Sequence, residues 1–284
     1  MKYCNIISII GLSNAGKSYL FNKLLNEKIS LTNKKIQFTR KLIFKSFIIN
    51  KDKYLLIDTP GYILNPKYKL HYIMINLIKY SINISNFIIY VAINNDIKNN
   101  KYFLKKNIII KEKKNILIIY NNKKEKKINK FYLNFFKKNR IIILNKSQIN
   151  NSLYINKIFT LIKKVNNNIS KFKINYNKNF IIKDIIRYYI YNFYNKEIPY
   201  CTDILVNKIL KDENKVYIEI IIYIEKLSQL KILIGKKGNK INKLSSFSRF
   251  KIKKMLNIKS LYLNIKFKII KWKNNKYNLK SLGY

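Results

Sequence analysis

Eight consecutive residues, Gly11, Leu12, Ser13, Asn14, Ala15, Gly16, Lys17 and Ser18, read GLSNAGKS, directly behind the apolar run IISII and ahead of a helical pattern. No other feature restricts the fold as much. A GxxxxGKS loop cradles phosphate when it leaves the carboxyl end of a strand and enters a helix, because loop amides and the helix dipole then face one anion. In such a loop Lys17 reaches the outer phosphates and the Ser18 hydroxyl ligates Mg²⁺, while Gly11, Ser13, Asn14, Ala15, Gly16 and Tyr19 line the remainder.

The rest of the pattern agrees with that junction. Apolar runs bounded by polar turns recur at 6–10, 42–49, 54–57, 87–93, 116–120 and 141–144, mostly with helix-length segments between them. Such alternation predicts an α/β domain with a six-stranded, mostly parallel sheet, its second and third strands close enough for an antiparallel hairpin. A helical pattern at 155–165 closes it. The polar stretch 166–179 lacks either neighbour's periodicity, so the first domain is set at 1–168, a linker at 169–179 and a second domain at 180–284. Two domains also suit a chain of 284 residues. The second reads as a helix at 180–194, strands at 203–210 and 216–224, a short helix ending at Gly235, a helix at 240–256 and a strand at 260–272, a small α+β unit.

About forty residues after the phosphate loop, Asp58, Thr59, Pro60 and Gly61 read DTPG at the end of the third strand. A simple turn would use the same residues. Behind a phosphate loop, however, this placement sets a carboxylate near the metal and the Gly61 amide near a γ-phosphate.

Lys and Arg number 59 against 13 Asp and Glu, a formal charge of +46 that calls for nucleic acid or an anionic membrane as partner. The abundance of Asn, Ile, Lys and Tyr also fits a bias toward AT-rich codons, so the position of the charge matters more than its sum. Seven acidic residues lie between Asp184 and Glu225, and none follows Lys226. In that acid-free stretch Ile234, Gly235, Lys236, Lys237, Gly238, Lys240 and Ile241 form a GxxG loop between two helical patterns. Glycines there admit a nucleic-acid backbone and the lysines neutralise its phosphates, which points to single-stranded RNA; a solvated basic face is the competing reading. Cys4 and Cys201 lie far apart and His71 is the only histidine, so neither a zinc site nor a disulfide framework follows, as suits a reducing cytoplasm. The longest apolar run, 87–93, is too short to cross a bilayer, and the apolar start of the chain leads straight into the phosphate loop, which argues against a cleaved signal.

These motifs together resemble the Era family of GTPases along nearly the whole chain. GLSNAGKSYLFNKLLNEKISLT is similar to that family's first motif and helix, and KIQFTR at 35–40 to its switch I, with Thr39 where the family closes a threonine over Mg²⁺. Phe38 stands where the family usually has another threonine, and Tyr62 where many small GTPases carry a water-orienting glutamine. The resemblance implies slow GTP hydrolysis through Lys17, Thr39 and Gly61, with Ser18, Thr39 and Asp58 around Mg²⁺. Asn14 either ligates K⁺, as in related GTPases, or merely shapes the loop. The family's guanine-reading NKxD is altered. In one register Asn122, Lys123 and Glu125 form NKxE and GTP is still preferred; in the other Asn121 leads and Lys124 replaces the carboxylate, a mismatch that costs guanine discrimination. The family's SA motif falls on Asn145 and Lys146. FIIKDIIRYYIYNFYNKEIPYCTDI and the terminal SLGY continue the likeness. They imply a type II KH domain binding the 3′ end of small-subunit rRNA during 30S assembly, in a monomeric cytoplasmic protein with peripheral contact to the inner membrane. Two other classes stay open: an RNA chaperone whose first domain has lost guanine specificity and hydrolysis, and a membrane-surface regulator.

Overall fold

The run at 6–10 becomes the middle of a sheet. In the computed structural model, which describes residues 3–27, 29–33, 35, 37–49, 52–93, 96–107, 109–120, 130–144, 152–163, 170–171, 178–212, 215–257 and 259–284, β1 (Tyr3–Gly11) leads into α1 (Lys17–Leu25). There follow β2 (Ile43–Ile49), β3 (Asp52–Asp58), α2 (Lys69–Ile84), β4 (Phe87–Ile93), α3 (Ile97–Lys106), α4 (Ile109–Glu112), β5 (Lys114–Tyr120), β6 (Ile141–Leu144), α5 (Ser152–Lys163) and β7 (Ser170–Lys171). The sheet runs β2-β3-β1-β4-β5-β6, parallel except for the β2–β3 hairpin.

With a strand on each side and helices in the chain between them, β1 has no polar face to offer. Ile6, Ile7, Ile9 and Ile10 are all buried, the near-continuous apolar run that a doubly covered parallel strand requires. Ser8 interrupts it without an orphaned hydroxyl, since its Oγ lies 2.6 Å from Ser85 Oγ and donates to the Ser81 carbonyl at 3.2 Å. Parallel register pairs Ile9 with Asp58 and Gly11 with Val91, so the strand ends that carry the motifs emerge along one edge. The six expected strands all form. A seventh, β7, pairs antiparallel with Tyr3 and Cys4 and falls inside the stretch read as polar linker.

The chain divides into two units, Met1–Lys67 with His71–Ile174, and Tyr68–Leu70 with Asn175–Tyr284. The second carries α6 (Lys178–Phe193), α7 (Ile198–Cys201), β8 (Asp203–Lys211), β9 (Lys215–Ile224), α8 (Leu227–Ile234), α9 (Asn239–Leu256), β10 (Ser260–Ile269) and α10 (Lys276–Ser281). Its sheet runs β10-β9-β8, with β9 parallel to β10 and antiparallel to β8. Ile218, Ile220, Ile222 and Ile224 alternate onto the buried face, and Ile182, Ile185, Ile186 and Ile190 fill the matching stripe of α6. The last strand stops at Ile269, three residues short of the sequence expectation. Trp272 turns inward instead, fully buried, its indole N–H donating to the Cys201 carbonyl at 2.9 Å.

A buried polar ladder fastens the end of the chain to this unit. Arg187 donates to Asp203 at 2.8 Å and to Asp184 at 2.9 Å, the Tyr284 hydroxyl donates to the other Asp203 oxygen at 2.5 Å, and Lys183 donates to the Leu282 carbonyl at 2.9 Å. Removing the guanidinium strands a buried carboxylate. Arg187→Ala is therefore expected to destabilise this unit by about 3–5 kcal/mol in denaturant unfolding.

Candidate functional site

Left-handed and crowded backbone positions shape the loop after β1. Asn14 and Gly16 sit in the left-handed region at φ 60° and 89°, which lets the chain curl before α1 begins at Lys17. The DTPG segment closes against it: the Tyr62 amide donates to the Gly11 carbonyl at 3.1 Å, and the Thr59 hydroxyl donates to the Ile9 carbonyl at 2.8 Å. A side chain at Gly61 would place its Cβ 2.5 Å from both Cα and Oγ of Ser13, so only glycine allows this approach.

Lys17 is 5% exposed, and its ammonium donates to the Leu12 carbonyl at 2.6 Å. Burial lowers its pKa from 10.5 to about 8, against the pull of the Asp58 carboxylate, which raises it. A cation held in a dry loop is a poor resting state and a good partner for an anion.

Beside it the structure joins residues far apart in sequence. Ser18 Oγ donates to Asp58 Oδ2 at 2.5 Å and lies 3.1 Å from Thr39 Oγ1. Two hydroxyls and a carboxylate make a hard oxygen set, the chemistry Mg²⁺ selects. A Mg²⁺ ion held by these three side chains would take the rest of its shell from water and substrate oxygens.

Sequence reasoning missed Ser30 and Asn22. The buried Ser30 hydroxyl donates to the same Asp58 oxygen at 2.9 Å. Asn22 holds Ser30 in place, donating to its carbonyl at 2.6 Å and accepting from the amides of Ile29 and Ser30. The one available signal was an Asn inside α1, where that side chain is a poor helix former unless it bonds backbone elsewhere.

Of the other expected site residues, Ala15, Thr59 and Pro60 are buried at the loop junction and Tyr19 is exposed on the first turn of α1. Phe38 is buried rather than aimed at solvent. Tyr62 packs edge-on against Phe103 with ring centroids 4.7 Å apart, in the core rather than over the phosphate loop. Asn121, Asn122, Lys123, Lys124, Glu125, Asn145 and Lys146 lie outside the described residues, directly beyond the ends of β5 and β6.

In the second unit, α8 ends at Ile234 and a turn at Lys236–Gly238 leads into α9. Gly235, Lys237 and Gly238 have φ of 73°, 50° and 76°. A Cβ on Gly235 would fall 2.7 Å from Lys240 Cγ. The loop thus presents Lys236, Lys237 and Lys240, all exposed, around a backbone that carries no side chain at its two glycine bends, while Ile234 and Ile241 are half-buried beneath it.

Comparison with known proteins matches residues 6–146 to a family described as 50S ribosome-binding GTPase and residues 189–275 to the KH domain. The chain is 31% identical over 301 residues to GTPase Era of Clostridium kluyveri, covering 98% of each, and 32% identical over 285 residues to GTPase Era of Campylobacter hominis, covering 97% of each. This chain belongs to the Era family of GTPases. The Era fold extends over all of it: an Era variant from Aquifex aeolicus bound to GDP·AlF4⁻ superposes with a TM-score of 0.86 at 20% identity, covering 100% of this chain and 99% of that one. An Era complex with MgGDPNP and nucleotides 1506–1542 of 16S ribosomal RNA superposes at 0.83, also at 20% identity and the same coverage. The α-β-β-α-α-β order read from the sequence is thus the KH portion of an Era chain, and the phosphate loop and DTPG lie within the residues matched to the GTPase family.

Because the unfolded chain binds the Lys17 proton up to pH 10.5 and the folded one only to about 8, folding is favoured by rising pH across that window. Wild type should accordingly gain stability relative to Lys17→Met as pH is raised from 8 toward 10.5, read from paired denaturation curves without nucleotide.

Proposed function

We propose that this GTPase couples GTP binding and hydrolysis in residues 1–168 to capture of the 3′ end of small-subunit ribosomal RNA by residues 180–284, with 169–179 between them, as a step in 30S assembly. The observation that carries the first half is the convergence of Lys17, Ser18, Thr39 and Asp58 at the ends of β1 and β3. Lys17 and the loop amides of Ser13 to Ser18 bind the polyphosphate. The hydroxyls of Ser18 and Thr39, with Asp58 held by Ser18 and Ser30, hold Mg²⁺, which when bound neutralises phosphate charge. The Gly61 amide approaches the γ-phosphate. Tyr62, packed on Phe103, does not orient water, which supports slow turnover. Asn14, exposed and left-handed, is the ligand proposed for K⁺. Asn122, Lys123 and Glu125 read guanine.

The RNA half rests on the glycine-bent loop with its exposed lysines, in a stretch with no acidic residue after Lys226. A relative of the same fold binds 16S rRNA nucleotides, which supports the choice of the small subunit over the 50S named in the family description. From its membership of the Era family we assign the protein to the cytoplasm, as a monomer with peripheral contact to the inner membrane; separately, no described helix is long and apolar enough to cross a membrane.

The altered base motifs favour one rival reading, a G domain kept only as scaffold for an RNA chaperone. Single-turnover assays separate the two. Wild type is expected to release phosphate from GTP with Mg²⁺, faster in K⁺ than in Li⁺, and to bind GTP more tightly than ATP; Lys17→Ala should lose roughly 100-fold or more in rate. No Mg²⁺-dependent release by folded wild type would leave the scaffold. In filter binding, the 16S 3′ end should be retained more tightly than a 23S fragment of equal length, and Lys236→Ala with Lys237→Ala should flatten the salt dependence by about two charges.

A further inference from the structure

Beyond the glycine loop, α9 carries an exposed stripe that the GxxG motif does not explain. Lys240, Lys243, Phe247, Phe250 and Lys254 are all exposed, and their spacing of three, seven, ten and fourteen residues from the first confines them to a sector of roughly 80° on one helix face, at about 100° per residue. The stripe runs about 21 Å at a rise of about 1.5 Å per residue. Leu244, Ser248 and Ile252 take the buried side. Phe250 is 69% exposed and Phe247 47%, on a helix whose core face has no need of them.

The Phe247 ring is held in place. Phe247 packs against Phe193 and Tyr189 of α6, with centroids 5.3 and 5.7 Å away, and the Lys243 ammonium sits over the Phe193 ring at 5.0 Å. One aromatic is thus anchored and its neighbour, one turn on, stands free for a flat partner, with cations before and after both. Beyond the contact with α6 the lysines interrupt the apolar surface, and the acid-free charge of the surrounding chain is complementary to a polyanion. A strand of unpaired RNA meets both conditions, since each base offers a face to stack and each phosphate a charge to neutralise.

We infer that α9 is a stacking platform for single-stranded RNA, continuing the path of a strand that leaves the glycine loop, with Phe250 and Phe247 taking bases and Lys240, Lys243 and Lys254 taking phosphates. This rests on the RNA reading of the loop. The test uses the full chain and fluorescein-labelled oligouridine of two lengths, about four nucleotides, which a KH groove clamps, and about three times longer. Phe250→Ala should weaken the long RNA about tenfold with no change in salt slope and leave the short one unaffected, and Phe250→Tyr should restore binding. The Lys236→Ala, Lys237→Ala pair should weaken both lengths. If Phe250→Ala binds long RNA as wild type does while the loop pair has lost both, the platform is overturned and the RNA reading stands. If neither the loop pair nor Phe250→Ala weakens either length, both fail. Sedimentation at the same concentrations completes the test: a wild-type dimer that Phe250→Ala dissolves would make the stripe a contact between copies and overturn the platform as well.

Discussion

The parallel pairing of β1 with β3, Ile9 opposite Asp58, is the constraint on which the catalytic half depends. It delivers a glycine-rich loop and a carboxylate to the same sheet edge, and every later contact is short because of it. Ser18 reaches Asp58 across one strand spacing; Thr39 and Ser30 come to the same place from the segment after α1. A one-residue slip would turn Asp58 to the opposite face of the sheet and disperse the cluster. Within the buried isoleucines of β1, Ser8 marks the register, because a slip would part its buried hydroxyl from Ser81 and Ser85.

Charge is treated differently in the two units. In the first, a single ammonium is desolvated inside the loop, and its depressed pKa records the cost of holding it ready. In the second, charges that are buried are matched, Arg187 against Asp184 and Asp203, while the unmatched ones stand on the surface of α9 and the loop before it. A buried ammonium at the loop suits a compact polyphosphate met at one point. A row of solvated cations suits an extended polyanion, whose binding is driven by release of its counterions.

Strands, loop motifs and the division into an α/β and an α+β part were legible because each is written in adjacent residues: period, run length and glycine spacing. Contacts closed by the fold were not. Nothing near Ser30 announces that it shares a carboxylate with Ser18, twelve residues earlier, because the link runs through Asp58 on another strand. Arg187 and Tyr284 are likewise joined only through Asp203. Helix 240–256 was evident from its pattern, but the exposure of Phe247 and Phe250 on it was not. Trp272 was read as the end of a strand, and its indole instead fills the core.

An AT-rich genome could produce lysine and asparagine without any selection for binding, yet glycine, whose codons are rich in G, argues that the motifs are functional. The chain has six glycines, and all six fall in motifs: Gly11 and Gly16 in the phosphate loop, Gly61 in DTPG, Gly235 and Gly238 in the RNA loop, Gly283 in SLGY. Elsewhere the backbone makes do without it. Asn26 and Asn257 take the left-handed caps of α1 and α9, where glycine is the usual choice. Asparagine is tolerated there because a cap needs only the conformation. At Gly61 and Gly235 a neighbour occupies the space of a Cβ, at 2.5 and 2.7 Å, and no codon bias can substitute for an absent side chain.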